Sequence, residues 1–512
     1  MPTIVTAKFL RRSGAQTDER KACVSHLPLA HAVFQAVAAA CPDPATLGKY
    51  QPFNQQLVDS AGNACPGAVN TTADSGATAW ILASSALVLL MTPALAFFYG
   101  GMVRAKHALA MLLQNFTTIA VVSVTWILIG FTWAFSGTGK YLGDLHFVFL
   151  RHINDGVPTL GSVQLIPTMC FVAFQLTFAI ITPALITGST ADRWKFGPFV
   201  AFVAIWSIVI YAPVAHWVFD AYGMLNRSAI EPGAHFFAED FAGGTVVHIN
   251  AGAAGLAMAF LLGKRRGWPR ENMRGHNIPF VMLGAGLLWF GWFGFNAGSE
   301  LGADSVASAA WVNTNTATAT ALLGWILAEK LRYGKSTALG AASGAVAGLV
   351  AITPCAGWVS PMGSIFIGFI AGFVCAFAIS LKTKFGLDDS LDVGGVHFVG
   401  GWIGTLCVGF FSTTGTNSLG NDGILYGGKG HYGGWNLLMH QAIAAGVVTV
   451  FSFVGTLIIG FVINLFIKNR VTPDQEDEGL DTAIHGESAY DFGPFGAGGS
   501  LIGASAAKES VA

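Results

Sequence analysis

Charge is what this chain has least of. Lys, Arg, Asp and Glu together make up 11% of its 512 residues, where a soluble domain carries roughly a quarter. So thin a complement excludes a water-soluble globule. The charges that are present nearly cancel, leaving a net charge of −1 with no basic tract, which removes nucleic acid from the expected partners. None of the seven cysteines (Cys23, Cys41, Cys65, Cys170, Cys355, Cys375, Cys407) stands in a C-x-x-C pair. A zinc or iron–sulfur centre is therefore unsupported, and no cofactor is expected. Cys41 and Cys65 lie in a polar N-terminal region and can pair as a disulfide if that region is extracytoplasmic. The others read as small apolar packing residues.

What the chain has in abundance is apolar surface. Hydrophobic residues form 53% of it and the mean hydropathy is +0.57, the composition of an integral membrane protein. Its 64 glycines suit helices whose backbones meet closely in lipid. From residue 79 onward, apolar runs of membrane-spanning length alternate with short polar loops. Eleven helices are expected, over 79–100, 109–135, 164–188, 198–218, 242–262, 279–297, 306–329, 338–353, 360–381, 394–412 and 438–467. The eighth is the shortest, and its Gly340, Gly344 and Gly348 form a stripe at four-residue spacing that should face another helix.

Loop charge orients the bundle. The loops after the first, third, fifth, seventh and ninth segments hold fourteen Lys and Arg, and those on the other side four. By the positive-inside rule the first set is cytoplasmic, so the N-terminus is outside and the C-terminus inside. Five is odd, so a second group of five inserts upside down relative to the first. The expected fold is an all-α membrane protein of two inverted five-helix repeats plus one extra helix. Three regions follow: a polar leader over 1–78, a membrane domain over 79–467 and a cytoplasmic tail over 468–512. In the leader, Arg11, Arg12, Arg20 and Lys21 precede an apolar run from Leu27 to Ala40. That run is too short to span and reads either as a signal peptide or as a leader without fixed structure. The tail opens with an acidic run over 474–478, and its Gly479 to Tyr490 stretch is varied enough to dock or else is a solvated linker.

Two histidines stand where ionisable groups are costly. His248 follows Asp240 and a Gly-Gly pair, and His397 follows Asp392 and a second Gly-Gly pair, each leading into a small-residue helix. An ionisable side chain at that depth costs about 2.5 kcal/mol or more unless it faces protein or water. Each falls on the fifth segment of its group, so repeat symmetry brings the two together. Two imidazoles in an apolar channel resist double protonation. They can share one proton, which suits a small molecule that both donates and accepts hydrogen bonds. Phe174 and Phe178 lie on one face of the third segment, while Trp292, Phe293 and Phe295 precede Ser299 at the outer end of the sixth. Such aromatics serve either as core and interfacial belt or as ring faces that hold a cation while it is dehydrated.

Four motifs then coincide: Asp240 to Asn250, Gly291 to Ser299, Asp392 to His397, and Gly479 to Tyr490. In this order they resemble the ammonium transporter (Amt/MEP/Rh) family, on its Amt branch, over about residues 79–490. The resemblance implies a homotrimer in the cytoplasmic membrane, each protomer with its own pore for ammonium and ammonia, with methylammonium as an analogue. It implies a gate of Phe174, Phe178 and Phe295, an outer cation site near Phe295, Trp292 and Ser299, and Asp240 as a structural acid beside it. It also implies a PII-type signalling protein as partner at the cytoplasmic face. One residue departs from the pattern: Phe219 stands where many members have a tryptophan closing the outer site, and its ring has a weaker quadrupole and no N–H. Trp217, two residues away, points elsewhere on a helix.

The expected function is ammonium transport, not enzyme catalysis. Two rivals stand beside it. One is an ammonium sensor that scarcely transports, favoured by Phe219. The other is a membrane haem protein with two histidine ligands, disfavoured by the small, tightly packed flanks.

Overall fold

The computed structural model describes residues 57–58, 64–65, 74–153, 166–226, 236–271, 273–428 and 432–490. The leader's apolar run and Cys41 lie outside the described residues, as does the tail beyond Tyr490. In the N-terminal unit two short strands, Leu57–Val58 and Ala64–Cys65, pair antiparallel. The rest of the described chain is helical.

Nine helices are long and apolar enough to cross a membrane among the described residues: α1 (Ser75–Met102), α2 (Ala105–Phe135), α3 (Thr168–Thr190), α4 (Phe196–Phe219), α5 (Gly244–Leu262), α6 (Ile278–Glu300), α9 (Pro361–Phe385), α10 (Gly394–Phe411) and α11 (Trp435–Phe466). Between α6 and α9 run α7 (Ser305–Tyr333) and the shorter α8 (Ala338–Ile352). The ends carry the expected signals. Asp74, Asp304, Thr337 and Ser360 accept backbone N–H bonds as N-caps of α1, α7, α8 and α9, satisfying donors that the first turn leaves open. The glycine stripe of α8 does face a helix. A side chain at Gly344 or Gly348 would strike α7 at Trp325 or Ala321.

The outward faces are apolar, with Phe116, Phe260, Phe290, Phe366 and Phe461 all exposed, as a body bathed in lipid requires. The ends of the bundle differ from each other. At one end an ion-pair network joins four loops. Asp192, in the α3–α4 loop, takes Arg104 at 3.1 Å and Arg265 at 3.4 Å; Asp388, before α10, takes Arg265 at 2.9 Å. Burial alone would raise these carboxyls, but His107 and the guanidinium groups beside Asp192, and the guanidinium groups beside Asp388, reverse that and hold both below the usual carboxylate range.

The tail docks on this same end. Helices α12 (Pro473–Glu478) and α13 (Leu480–His485) set the Asp481 carboxylate against the backbone N–H groups of Leu109 (3.0 Å) and Ala110 (2.8 Å). Tyr490 reaches the His276 ring at 2.7 Å. The acidic run meets the basic loop within the chain, with Arg266 2.9 Å from Asp477 and the Glu476 carboxylate accepting the Arg266 N–H at 2.7 Å. The motif from Gly479 is thus docked and not a solvated linker. At the opposite end, Trp217 Nε1 donates to the Tyr141 carbonyl at 2.7 Å, and Asn421 Nδ2 donates to the Glu239 carboxylate at 2.6 Å.

Candidate functional site

The centre is built by two helix starts. The Asp240 carboxylate accepts the N–H groups of Gly243 (2.8 Å), Gly244 (2.6 Å) and Thr245 (2.7 Å), together with the Thr245 hydroxyl. Gly243 has φ +123°, a region closed to most side chains, so the chain can fold back onto its own cap. The first turn of α5 is then π-helical, from Gly244 to Ile249, and His248 sits in it. A π-helical turn, Gly394–Phe398, likewise opens α10 and holds His397.

The acid that caps α10 is Asp389, not Asp392. Asp389 accepts the N–H groups of Val393 (3.2 Å) and Gly394 (2.7 Å) and the Ser189 hydroxyl (2.8 Å). Asp392 instead pairs with Lys382 at 2.6 Å. Asp389 stands at the same offset as the first cap: Asp240 precedes His248 by eight residues, and Asp389 precedes His397 by eight.

The helices then cross at glycine. A methyl at Gly252 of α5 would come within 2.6 Å of the Phe398 backbone, and this close approach lets the imidazoles meet. The two Nδ1 atoms lie 3.4 Å apart, with ring centroids at 5.5 Å and planes 21° apart. Both residues are almost fully buried, at 1% and 2% exposure, and His248 Nε2 has no protein partner among the described residues. One proton can bridge the pair, as N–H donor to lone pair. Trp292 and Phe295 stack on His248 at 5.4 and 5.9 Å, which leaves no plane for a porphyrin between the rings.

Above this pair lies the aromatic cluster. Phe178 meets Phe295 at 4.6 Å and Phe174 at 4.9 Å, and all three rings are buried. Beyond Phe178 opens a cavity of about 470 Å³, whose wall includes Phe219, Ser299, Gln175, Asp240, Glu239 and Trp358. Ser299 donates its hydroxyl to the Phe295 carbonyl at 2.7 Å, which leaves its oxygen lone pairs to accept. Phe219 lines the cavity, while Trp217 turns away and packs on Phe451 at 4.5 Å.

Trp292 is not in the cavity wall. It stacks on His248 and donates to Thr353 Oγ1 at 2.8 Å. Ser299, Phe295 and Trp292 follow one another down one face of α6, and seven residues at 1.5 Å each put Trp292 about 10 Å deeper than Ser299. Sequence reasoning missed Gln175, Glu239, Trp358 and Asp389. The equal offsets to the histidines were a usable signal for Asp389. For the other three there was none, because loop and helix-face geometry alone brings them to the cavity. Asp220 follows α4 directly after Phe219, and burial pushes its carboxyl up to about 8.

Comparisons with known proteins bear on this arrangement. Residues 79–490 match the model of the Ammonium Transporter Family. An ammonium transporter of Mycobacterium tuberculosis is 48% identical over 443 residues, covering 82% of this chain and 91% of its own length. One of Bacillus subtilis is 44% identical over 416 residues, covering 81% and 98%. Among solved structures, Candida albicans Mep2 aligns with a TM-score of 0.71 at 32% identity, over 80% of this chain and 89% of that one. A chain described as a sensor Amt protein aligns with a TM-score of 0.69 at 28% identity, over 80% and 98%.

Proposed function

Because the chain belongs to the ammonium transporter family, we propose that it moves ammonium across the cytoplasmic membrane through a twin-histidine pore. The observation that carries this reading is a sequence of environments. An outer cavity with hydroxyl and amide acceptors leads to the Phe178/Phe295 contact, and that contact leads to His248 and His397. Ammonium enters the cavity, where Ser299 accepts one of its N–H bonds and aromatic faces attract the cation. It then gives up its proton, since the phenylalanine gate offers nothing to solvate a charge. Ammonia passes as the rings part and meets a histidine pair that can donate to it and accept from it. The proton either follows through the shared histidine proton, making transport electrogenic, or stays outside. Potassium has no proton to shed, and the apolar lumen holds no oxygen shell to replace its water.

The architecture of this proposal is eleven crossings, with α7 and α8 counted among them, in two inverted five-helix repeats followed by α11. The paired cap–histidine units of α5 and α10 support it. The N-terminal side is outside, and the end bearing Arg104, Arg265 and the docked tail is cytoplasmic. Each protomer of a homotrimer has its own pore, and a PII-type protein meets the cytoplasmic face. The test is an ammonium pulse applied to proteoliposomes holding the full chain, with current and internal pH recorded together. A saturable current supports electrogenic transport, and alkalinisation without current supports neutral ammonia passage. Binding with neither response supports the second reading, a sensor, which Phe219 and the likeness to the sensor Amt protein favour.

A further inference from the structure

Phe219 brings only a benzene ring to the outer cavity, and among aromatic faces phenylalanine's attracts a cation less than indole's. More of the binding then falls to hydrogen-bond acceptors in the wall. Ser299 is one, and Gln175 on α3 lines the same cavity. We propose that Gln175 is a substrate-binding residue of the outer vestibule, its amide oxygen accepting an N–H bond of the entering protonated amine, a role that rests on reading this cavity as the ammonium entry site.

Gln175 is only 8% exposed, and its amide oxygen has no protein partner among the described residues. Helix α3 sets it on the face of Phe178, three residues further on, and both side chains line the cavity. The fold draws no benefit from that oxygen, because burying it without a hydrogen bond costs stability that an apolar side chain of the same length would not cost. A primary amide carries its acceptor and its donors at the two ends of one terminal torsion. A half-turn there aims the oxygen at whichever donor enters the cavity.

The two halves of the gate are built alike. Phe178 of α3 meets Phe295 of α6 at 4.6 Å, and each ring has a polar side chain about one helical turn away on its own helix. Gln175 stands three residues before Phe178, and Ser299 four residues after Phe295. Both line the cavity. The Ser299 hydroxyl gives its proton to the Phe295 carbonyl, so towards a ligand it acts as an acceptor, as the Gln175 oxygen does. No Lys or Arg is among the described lining residues, so no fixed cation in that wall opposes a positive charge. Two acceptors on different helices suit a small cation whose N–H bonds point in several directions, the class to which ammonium and methylammonium belong.

The test combines the concentration dependence of ammonium and methylammonium current in the reconstituted full chain with melting in detergent. Gln175→Met keeps the length of the side chain and removes the amide. It should raise the half-saturating concentration about ten- to hundredfold, the loss of one hydrogen bond to a charged donor, with the maximal current retained. Its melting temperature should be unchanged or higher, since no protein hydrogen bond to the oxygen is lost. Gln175→Glu keeps an acceptor oxygen at the same reach and should bind at least as tightly as the wild type. An unchanged half-saturating concentration in Gln175→Met, or a Gln175→Glu variant as weak as it, overturns the assignment alone. So does a Gln175→Met variant that melts well below the wild type, because an amide on which the fold depends is a structural one. A wild-type protein with no response to ammonium overturns the entry-site reading and this assignment with it.

Discussion

His248 and His397 are buried without a counter-charge at their rings, touching each other at 3.4 Å. On the proposed reading their cost is recovered in what passes them. Replacing either by Ala removes one half of a shared proton bridge, and the aromatic rings stacked beside His248 keep the site packed. We expect folded protein whose ammonium-evoked current is abolished, or whose discrimination against potassium is lost. Wild-type current and selectivity in both variants would remove the pair from the mechanism. At the cavity, Phe219→Trp in the native chain should tighten methylammonium affinity by about 0.5–2 kcal/mol if the larger ring engages the cation. An unaltered saturation curve would show that position 219 does not touch the ligand.

The elements are placed by close backbone approach and by buried charge. Gly252 lets α5 lie against Phe398 of α10. Gly252→Val should overpack that crossing at a cost of about 1–3 kcal/mol and spread the histidines apart, lowering both melting temperature and current. A variant that melts like the wild type would mean that the crossing is softer than it looks. At the ion-paired end, Asp192 is held below its ordinary 3.8 by His107, Arg265 and Arg104, despite burial. A depressed carboxyl contributes stability that is present above its unfolded value and is lost as pH falls through the folded one. Melting in detergent should therefore drop steeply below about pH 4. Asp192→Asn should flatten that acid limb while destabilising the protein near neutrality by roughly 3–5 kcal/mol, the cost of stranding buried guanidinium groups. An acid limb identical to the wild type's would assign the pH dependence to other groups.

For the whole molecule, the docked tail links the far C-terminus to the start of α2 and the α5–α6 loop. The Arg266–Asp477 pair is half-exposed and worth little. The buried cap made by Asp481 on α2 is the firmer tether. Deleting residues 474–512 should lower transport or uncouple it from PII-type control, measured as ammonium current and as salt-dependent binding of that protein. Wild-type values for both would reduce the tail to a solubilising end.

The membrane class, the helix boundaries to within a few residues and the two histidines were legible in the chain, because hydropathy and i-to-i+4 spacing are local properties. The same locality explains what was not legible. Asp392 stands next to the Gly-Gly pair, yet it turns to Lys382, while Asp389 reaches back to cap the helix. Trp292 shares a motif with Ser299 but lies two turns deeper, beside His248. Trp358 carries no motif at all and enters the cavity only because the α8–α9 turn packs against Phe241 and the loop at Thr413. Which apolar segments form, and which polar residues are too costly to be idle, follows from transfer energies written into each stretch. Which side chains meet follows from contacts between residues far apart in the chain, 149 positions in the case of the histidines, and those were decided by helices packing glycine against backbone.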